Sequence, residues 1–266
     1  VACYKPITAW KPLEGGAIHF SEKKNCKEIE IPCGQCIGCR IRKREEWAVR
    51  IYAESRMHKR NSFVTFTYDN ENCPIDYSLN YRHIQLLHKR MRKEFGPFRF
   101  FCAGEYGDDF GRPHYHAIYF GLDFDDKRKS NSLYSRFDLY ESEALDRCWG
   151  KGRCAIGEVT YESARYCAVY TTKRIGGDLA ESHYFRPSPF TGEFHHVEPE
   201  FAKMSLKPGL GQSWLEKYWR DLYVSGADAV VVNGSKKPIP KFFDRKLEEI
   251  APILLDDFKF KKYKEA

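Results

Sequence analysis

The stretch from Phe98 to Phe120 constrains this chain more than any other. Two runs rich in aromatic and apolar residues, Phe98–Glu105 and Pro113–Phe120, flank Gly107-Asp108-Asp109-Phe110-Gly111-Arg112, whose glycines and aspartates are turn chemistry. They predict an antiparallel hairpin. Turning through residues 107–112, its register pairs Glu105 with His114 and Ala103 with His116. Cross-strand partners share a face, and a one-residue slip would send Glu105 to the other side.

The surrounding pattern extends that hairpin into a fold. Ser62–Tyr68 reads as a strand, and Leu79–Phe95 as an amphipathic helix stopped by Gly96-Pro97. Glu141–Trp149 reads as a helix, Cys154–Thr160 as a strand and Glu162–Arg174 as a helix. The order β-α-β-β-α-β predicts an α+β chain with a ferredoxin-like (split βαβ) core, an antiparallel sheet with helices on one face. Residues 1–60 form an N-terminal arm: about 40 irregular residues, then a helix from Arg40 to Lys59. Residues 61–176 form the core. Residues 177–266 add a lid to about Pro208, a helix over Leu210–Tyr223, a hairpin over Ala229–Pro240 turning at Asn233-Gly234, and a final basic helix from Phe242.

Composition narrows the function classes. Of the 266 residues, 44 are basic and 37 acidic, giving a formal charge of +7; 17 are tyrosines. Basic runs at Arg40–Arg44, His88–Lys93 and Lys259–Lys264, with aromatics nearby, suit a single strand: phosphates take cations and unstacked bases take flat faces. Arg90, Arg92, Lys93 and Arg112 are the candidate DNA contacts. No GxxxxGK[ST] loop is present, so no ATP-driven motor is evident. No apolar run of about 18 residues and no signal-peptide pattern occurs, which points to no membrane and a cytoplasmic setting. In that setting the ten cysteines read as thiols rather than disulfides.

Residues two apart in a strand point the same way, so His114 and His116 present two imidazoles side by side while Tyr115 faces away. With Glu105 opposite, they make a candidate metal site of mixed nitrogen and oxygen donors, suited to Mn²⁺ or Mg²⁺ and not closed to zinc. Tyr166 and Tyr170 fall at i and i+4 on the expected helix, with Lys173 three residues on along the same face. There an ammonium would favour a phenolate and neutralise phosphate charge.

In order, Thr65-Phe66-Thr67-Tyr68, Gly111-Arg112-Pro113-His114-Tyr115-His116 and Tyr166-x-x-x-Tyr170-x-x-Lys173 resemble the three motifs of HUH-superfamily replication initiators. More closely, the chain resembles the initiators of gokushovirus-type single-stranded DNA phages (Microviridae). The likeness covers most of the chain, including Cys33-Gly34-Gln35-Cys36-Ile37-Gly38-Cys39 and Met204–Tyr218. It implies an HUH endonuclease core and rolling-circle replication. One tyrosine attacks the single-stranded origin, leaving a 5′-phosphotyrosine and a free 3′-OH for the host polymerase, and a second tyrosine permits rejoining into circles. The Tyr-x-x-Lys pattern of single-tyrosine relatives implies Tyr170 first and Tyr166 second. Without a motor, a host helicase is expected. Relaxases place their tyrosine before the histidines and so fit less well. Two alternatives remain: a transposase with the same chemistry, and a non-catalytic single-strand-binding zinc module.

The Cys33, Cys36 and Cys39 thiols need a fourth ligand for a closed zinc site, with Cys3 and Cys26 as candidates. The early Cys-x-x-Pro of phage initiators favours Cys3. An iron–sulfur reading wants a cysteine at position 43, which is lysine. Cys148 and Cys154 flank a glycine-rich turn, and His195-His196 reads as a solvated loop pair.

Overall fold

A computed structural model describes residues 3–107, 110–130, 138–225, 227, 229–256 and 258. The arm opens with the antiparallel hairpin β1 (Ile7–Pro12) and β2 (Cys26–Ile31), followed by α1 (Ile37–Ser55). Next come β3 (Asn61–Thr67), α2 (Tyr81–Phe95), β4 (Arg99–Tyr106) and β5 (Pro113–Phe120). Two-residue strands β6 (Arg128–Lys129) and β7 (Tyr140–Glu141) precede α3 (Glu143–Trp149), β8 (Cys154–Gly157) and α4 (Tyr161–Val169). The lid region holds α5 (Leu179–Tyr184), β9 (Phe185–Pro187), β10 (Phe194–His196) and β11 (Phe201–Met204). The chain continues through α6 (Gln212–Tyr223), β12 (Ala229–Val232), β13 (Ser235–Pro238) and α7 (Lys241–Ile250).

One large sheet, ordered β11-β4-β5-β3-β8-β7-β6 and antiparallel at each pairing, carries the molecule. The β4–β5 register sets Glu105 against His114 and Ala103 against His116, as the turn chemistry predicts. Strand alternation then sorts β5 by face. Tyr115, Ala117 and Tyr119 pack with Ile84, Leu87 and Met91 of α2 and with Leu145 and Trp149 of α3. Ile118 and Phe120 pack with Ala48, Val49 and Ile51 of α1, with Ala164, Cys167 and Ala168 of α4, and with Leu215 and Phe243 of α6 and α7. Burying each large apolar side chain is worth roughly 1.5–3 kcal/mol, so both layers are tightly held. The polar triad sits at the end of this second, otherwise apolar face.

Several expectations need correction. Helices cover both faces of the sheet, because α1 and α4 lie opposite α2 and α3. The arm is not irregular throughout: β1 and β2 pair, although among their residues only Ala9 is fully buried, so little apolar alternation marks them. The lid contains a strand, β11, that pairs with the β4 edge. Four residues are too few to show a period. Helix α4 starts at a Thr160–Ser163 capping box but ends at Val169 rather than Arg174. There the Thr171 and Thr172 hydroxyls donate to the carbonyls of Ala168 and Val169, taking over acceptors that a continuing helix would use. β8 likewise ends at Gly157, short of Thr160. The Asn233-Gly234 turn forms as expected, both residues at positive φ. The basic run Lys259–Lys264 lies outside the described residues. Among the described residues, no helix is long and apolar enough to cross a membrane, and all ten cysteines are free.

Candidate functional site

The β4–β5 hairpin brings three ligands together. Glu105 Oε1 lies 2.9 Å from His114 Nε2 and 2.9 Å from His116 Nε2. Each ring is oriented by its other nitrogen. His114 Nδ1 is 3.1 Å from the Arg112 carbonyl and must donate to it, which turns Nε2 toward the site in the neutral tautomer. His116 Nδ1 is 3.0 Å from Thr65 Oγ1. Two ligands at about 2.1 Å from an ion and at right angles lie about 3.0 Å apart, so this donor set fits a small hard or borderline cation. The ligand atoms of Glu105, His114 and His116 all fall within 4.8 Å of one another.

The tyrosines arrive from the facing helix. Tyr170, at the C-cap of α4, stays in the αR region and so keeps its place one turn below Tyr166. Its hydroxyl donates to Glu105 Oε1 at 2.6 Å, and its ring stacks on His116 at 5.3 Å between centroids. Tyr166 Oη is 3.3 Å from His116 Nε2. The two differ in access: Tyr170 is 3% exposed and Tyr166 46%. Lys173 belongs to the turn after α4 rather than to its face, yet its ammonium donates to Glu105 Oε2 at 2.6 Å and lies 5.1 Å over the Tyr170 ring.

The electrostatics follow from this crowding. Burial pushes the Glu105 carboxyl up, but hydrogen bonds from His114, His116, Lys173 and Tyr170 outweigh it and hold the group well below the usual carboxylate range. Burial lowers His116, whereas at His114 it is outweighed by Glu105 and the Arg112 carbonyl, and that ring is raised. Tyr170 is pushed far up, first by burial and then by donating to Glu105. The expectation that Lys173 favours a Tyr170 phenolate is therefore reversed in this arrangement, where the carboxylate takes the ammonium and the phenol keeps its proton.

Other candidate residues divide. Arg112 stands at the site's rim, donating to the Tyr68 carbonyl and Asn70 Oδ1. Arg90, Arg92 and Lys93 ride on α2, across the sheet from the triad. Arg90 donates to the Cys148 and Trp149 carbonyls at the end of α3, Arg92 lies over the Phe98 ring, and Lys93 is exposed. Two residues emerge to which the sequence alone assigns no role: Thr65, which orients His116, and Phe63, stacked on His116 at 5.9 Å. Pairing β3 against β5 in register, Thr65 opposite His116, is the signal that would find them.

A second cluster forms in the arm. Cys3, Cys33, Cys36 and Cys39 bring their sulfurs within 4.8 Å of one another, while Cys26 lies in β2, outside the group. Cys3 Sγ is 3.6 Å from Cys33 Sγ and 3.8 Å from Cys36 Sγ. Four thiolates about 2.3 Å from an ion at tetrahedral angles lie about 3.8 Å apart, so the spacing fits zinc. Backbone N–H groups of Tyr4, Cys33 and Cys36 point at these sulfurs. The N–H of Tyr4 leads the causes that lower the Cys36 thiol to about 6, whereas burial raises Cys39 to about 11.

Comparison with known proteins agrees with this geometry. The family model for the replication-associated protein ORF2 matches residues 61–175. The chain is 31% identical to the replication-associated protein VP4 of Bdellovibrio phage phiMH2K, over 91% of this chain and 75% of that protein. It is 28% identical to the replication-associated protein ORF2 of Spiroplasma virus 4, over 93% and 81%. With the replication-associated protein ORF4 of Chlamydia phage 1 the identity is 29%, over 83% and 54%. No solved structure matches. A likeness to phage proteins of one kind over most of the chain, joined to this arrangement of side chains, leads to one conclusion: the chain belongs to the family of phage replication-associated proteins that act as rolling-circle replication initiators.

Proposed function

We propose that the chain is a metal-dependent HUH endonuclease and ligase that nicks single-stranded origin DNA by tyrosine attack and rejoins the ends to release circles. The observation that carries this reading is the convergence on Glu105 of two imidazoles, a phenol and an ammonium, with a second phenol beside His116. The split βαβ order of β3, α2, β4, β5, α3 and β8, with β4 and β5 holding the ligands, supports the ferredoxin-like HUH core over residues 61–176.

Glu105, His114 and His116 would hold Mn²⁺ or Mg²⁺, which when bound supplies Lewis-acid polarisation of the scissile phosphate. The remaining chemistry belongs to the chain. Tyr170 is proposed as the first nucleophile, since its Oη and the Lys173 ammonium meet the same carboxylate. As the bond from Oη to phosphorus forms, the phenol loses its proton, the bond from phosphorus to the 3′-oxygen breaks and that oxygen takes up a proton. The products are a 5′-phosphotyrosine and the 3′-OH that a host polymerase extends. Lys173 offsets phosphate charge. Tyr166, the more exposed phenol, cleaves the regenerated origin while Tyr170 is loaded. Strand opening falls to a host helicase, and the reaction takes place in the host cytoplasm. In the arm, Cys3, Cys33, Cys36 and Cys39 would hold a structural zinc that fastens the first residues to the start of α1.

The test uses oligonucleotides tiled across the circular genome that encodes the chain. Incubated with Mn²⁺, the unaltered protein should form a covalent adduct on a denaturing gel, and the Tyr166→Phe, Tyr170→Phe double variant none. An adduct that survives the double substitution would refute the proposed chemistry.

A further inference from the structure

The hairpin of β9 and β10 is built inside out. Its register pairs Phe194 with Pro187, His195 with Arg186 and His196 with Phe185. On one face stand Phe185, Pro187, Phe194 and His196, all exposed; on the other stand Arg186 and His195, both partly buried. A solvated hairpin normally shows water its polar side and keeps its rings inward. Here Phe185 and Phe194 are 45% and 58% exposed, and Phe190 at the tip is 52% exposed. The rings form a continuous surface: Phe185 lies 5.2 Å from Phe194 and 4.8 Å from His196 between centroids, with the rings tilted by 36° and 37°.

The hairpin is also tied to both flanks of the candidate active site. Arg186 sits 4.9 Å over the ring of Tyr106, the residue after Glu105. Tyr184, immediately before β9, accepts from the Ile175 N–H, two residues beyond Lys173, and donates to buried Glu200. The aromatic face therefore stands on the same framework that holds Glu105 and Lys173.

We propose that this face is a base-stacking platform for the single-stranded DNA next to the scissile phosphate, an inference that rests on the nicking function proposed above. Two observations favour DNA over a protein partner. The face offers flat rings with no Leu, Ile or Val among them, which suits unstacked bases of any sequence. Strands of three residues also give far less than the roughly 1,200 Å² that a stable protein interface buries. Charge agrees: Arg174 is exposed beside Lys173, Arg186 lies beneath the platform, and the nearby acid Glu193 is turned toward His195 at 3.9 Å.

The test compares the full chain with a Phe185→Ala, Phe194→Ala double variant and a Phe185→Trp, Phe194→Trp double variant. The probe is a fluorescein-labelled, mixed-sequence single strand of about 25 nucleotides read by anisotropy. Loss of two stacking surfaces should weaken binding roughly 10- to 100-fold, and the Trp pair should restore it to within about threefold. With saturating DNA the Ala variant should still form the covalent adduct. The Tyr166→Phe, Tyr170→Phe protein should do the reverse, binding DNA normally and forming none, so failure of the platform and failure of the nicking centre read out separately. Unchanged affinity in the Ala variant overturns the proposal. So does a loss that Trp does not restore, or a change of oligomeric state at unchanged DNA affinity, which would assign the face to a second copy of the chain.

Discussion

Glu54 and Glu105 are two carboxylates buried to nearly the same degree, 2% and 4% exposed, and each is surrounded by donors. Glu54 takes Arg99 Nε at 2.6 Å, the Gly211 N–H at 2.8 Å and His58 Nε2 at 3.2 Å. Burial pushes its carboxyl up, but His58, Gly211 and Arg99 outweigh burial and hold it low, as the neighbours of Glu105 do there. The difference lies in the donors. An arginine and a backbone amide never give up their protons, so Glu54 fastens α1 to β4 and to the start of α6. Two imidazoles and a phenol can, so Glu105 stands among groups able to ligate, attack and exchange protons. A buried charge alone therefore does not mark a site; the chemistry of its partners does.

That contrast can be broken experimentally. The largest effect is expected from Glu105→Gln, which should reduce Mn²⁺-dependent adduct formation by roughly 10³-fold while the protein still folds. Full activity would remove Glu105 from the metal set. Glu54→Gln should do the opposite. Leaving Arg99 without its buried partner should cost about 3 kcal/mol and lower the melting temperature by roughly 6–12 °C, with adduct formation per folded molecule unchanged. Thr65→Val removes the hydroxyl that orients His116 and should weaken Mn²⁺ dependence of the reaction about 10- to 100-fold without moving the melting temperature much.

The smallest effect is in pH. Because the folded carboxyl of Glu54 is depressed, its contribution is present in full above the ordinary carboxyl range near about 4.3 and is lost as pH falls through the lower folded value. The stability gap between the parent and Glu54→Gln should be full at about pH 6 and close in acid; denaturant melts at a series of pH values would show it.

The sequence carried the hairpin well, because its turn chemistry and two long apolar runs leave one register that places His114 and Glu105 together. It carried the pair of tyrosines too, since i and i+4 share a helix face whether or not the helix continues. The missing parts have physical reasons. β11 and the strands of the lid are too short to display alternation, and the arm's hairpin buries too little to be patterned. The end of α4 is set by two threonine side chains competing for backbone acceptors, a local choice that spacing does not reveal. Glu54 was invisible as a structural anchor because its partners come from residues as distant as Arg99 and Gly211.

The most direct test uses the chain's own cleavage sites. Trypsin cuts after Arg165 and Lys173, so Tyr166 and Tyr170 fall together in one peptide, residues 166–173. After reaction with Mn²⁺ and origin-containing single-stranded DNA, and nuclease trimming, mass spectrometry should find a nucleotide esterified to a tyrosine of that peptide, on Tyr170 in a single turnover. A nucleotide attached to any residue outside 166–173 would contradict the account.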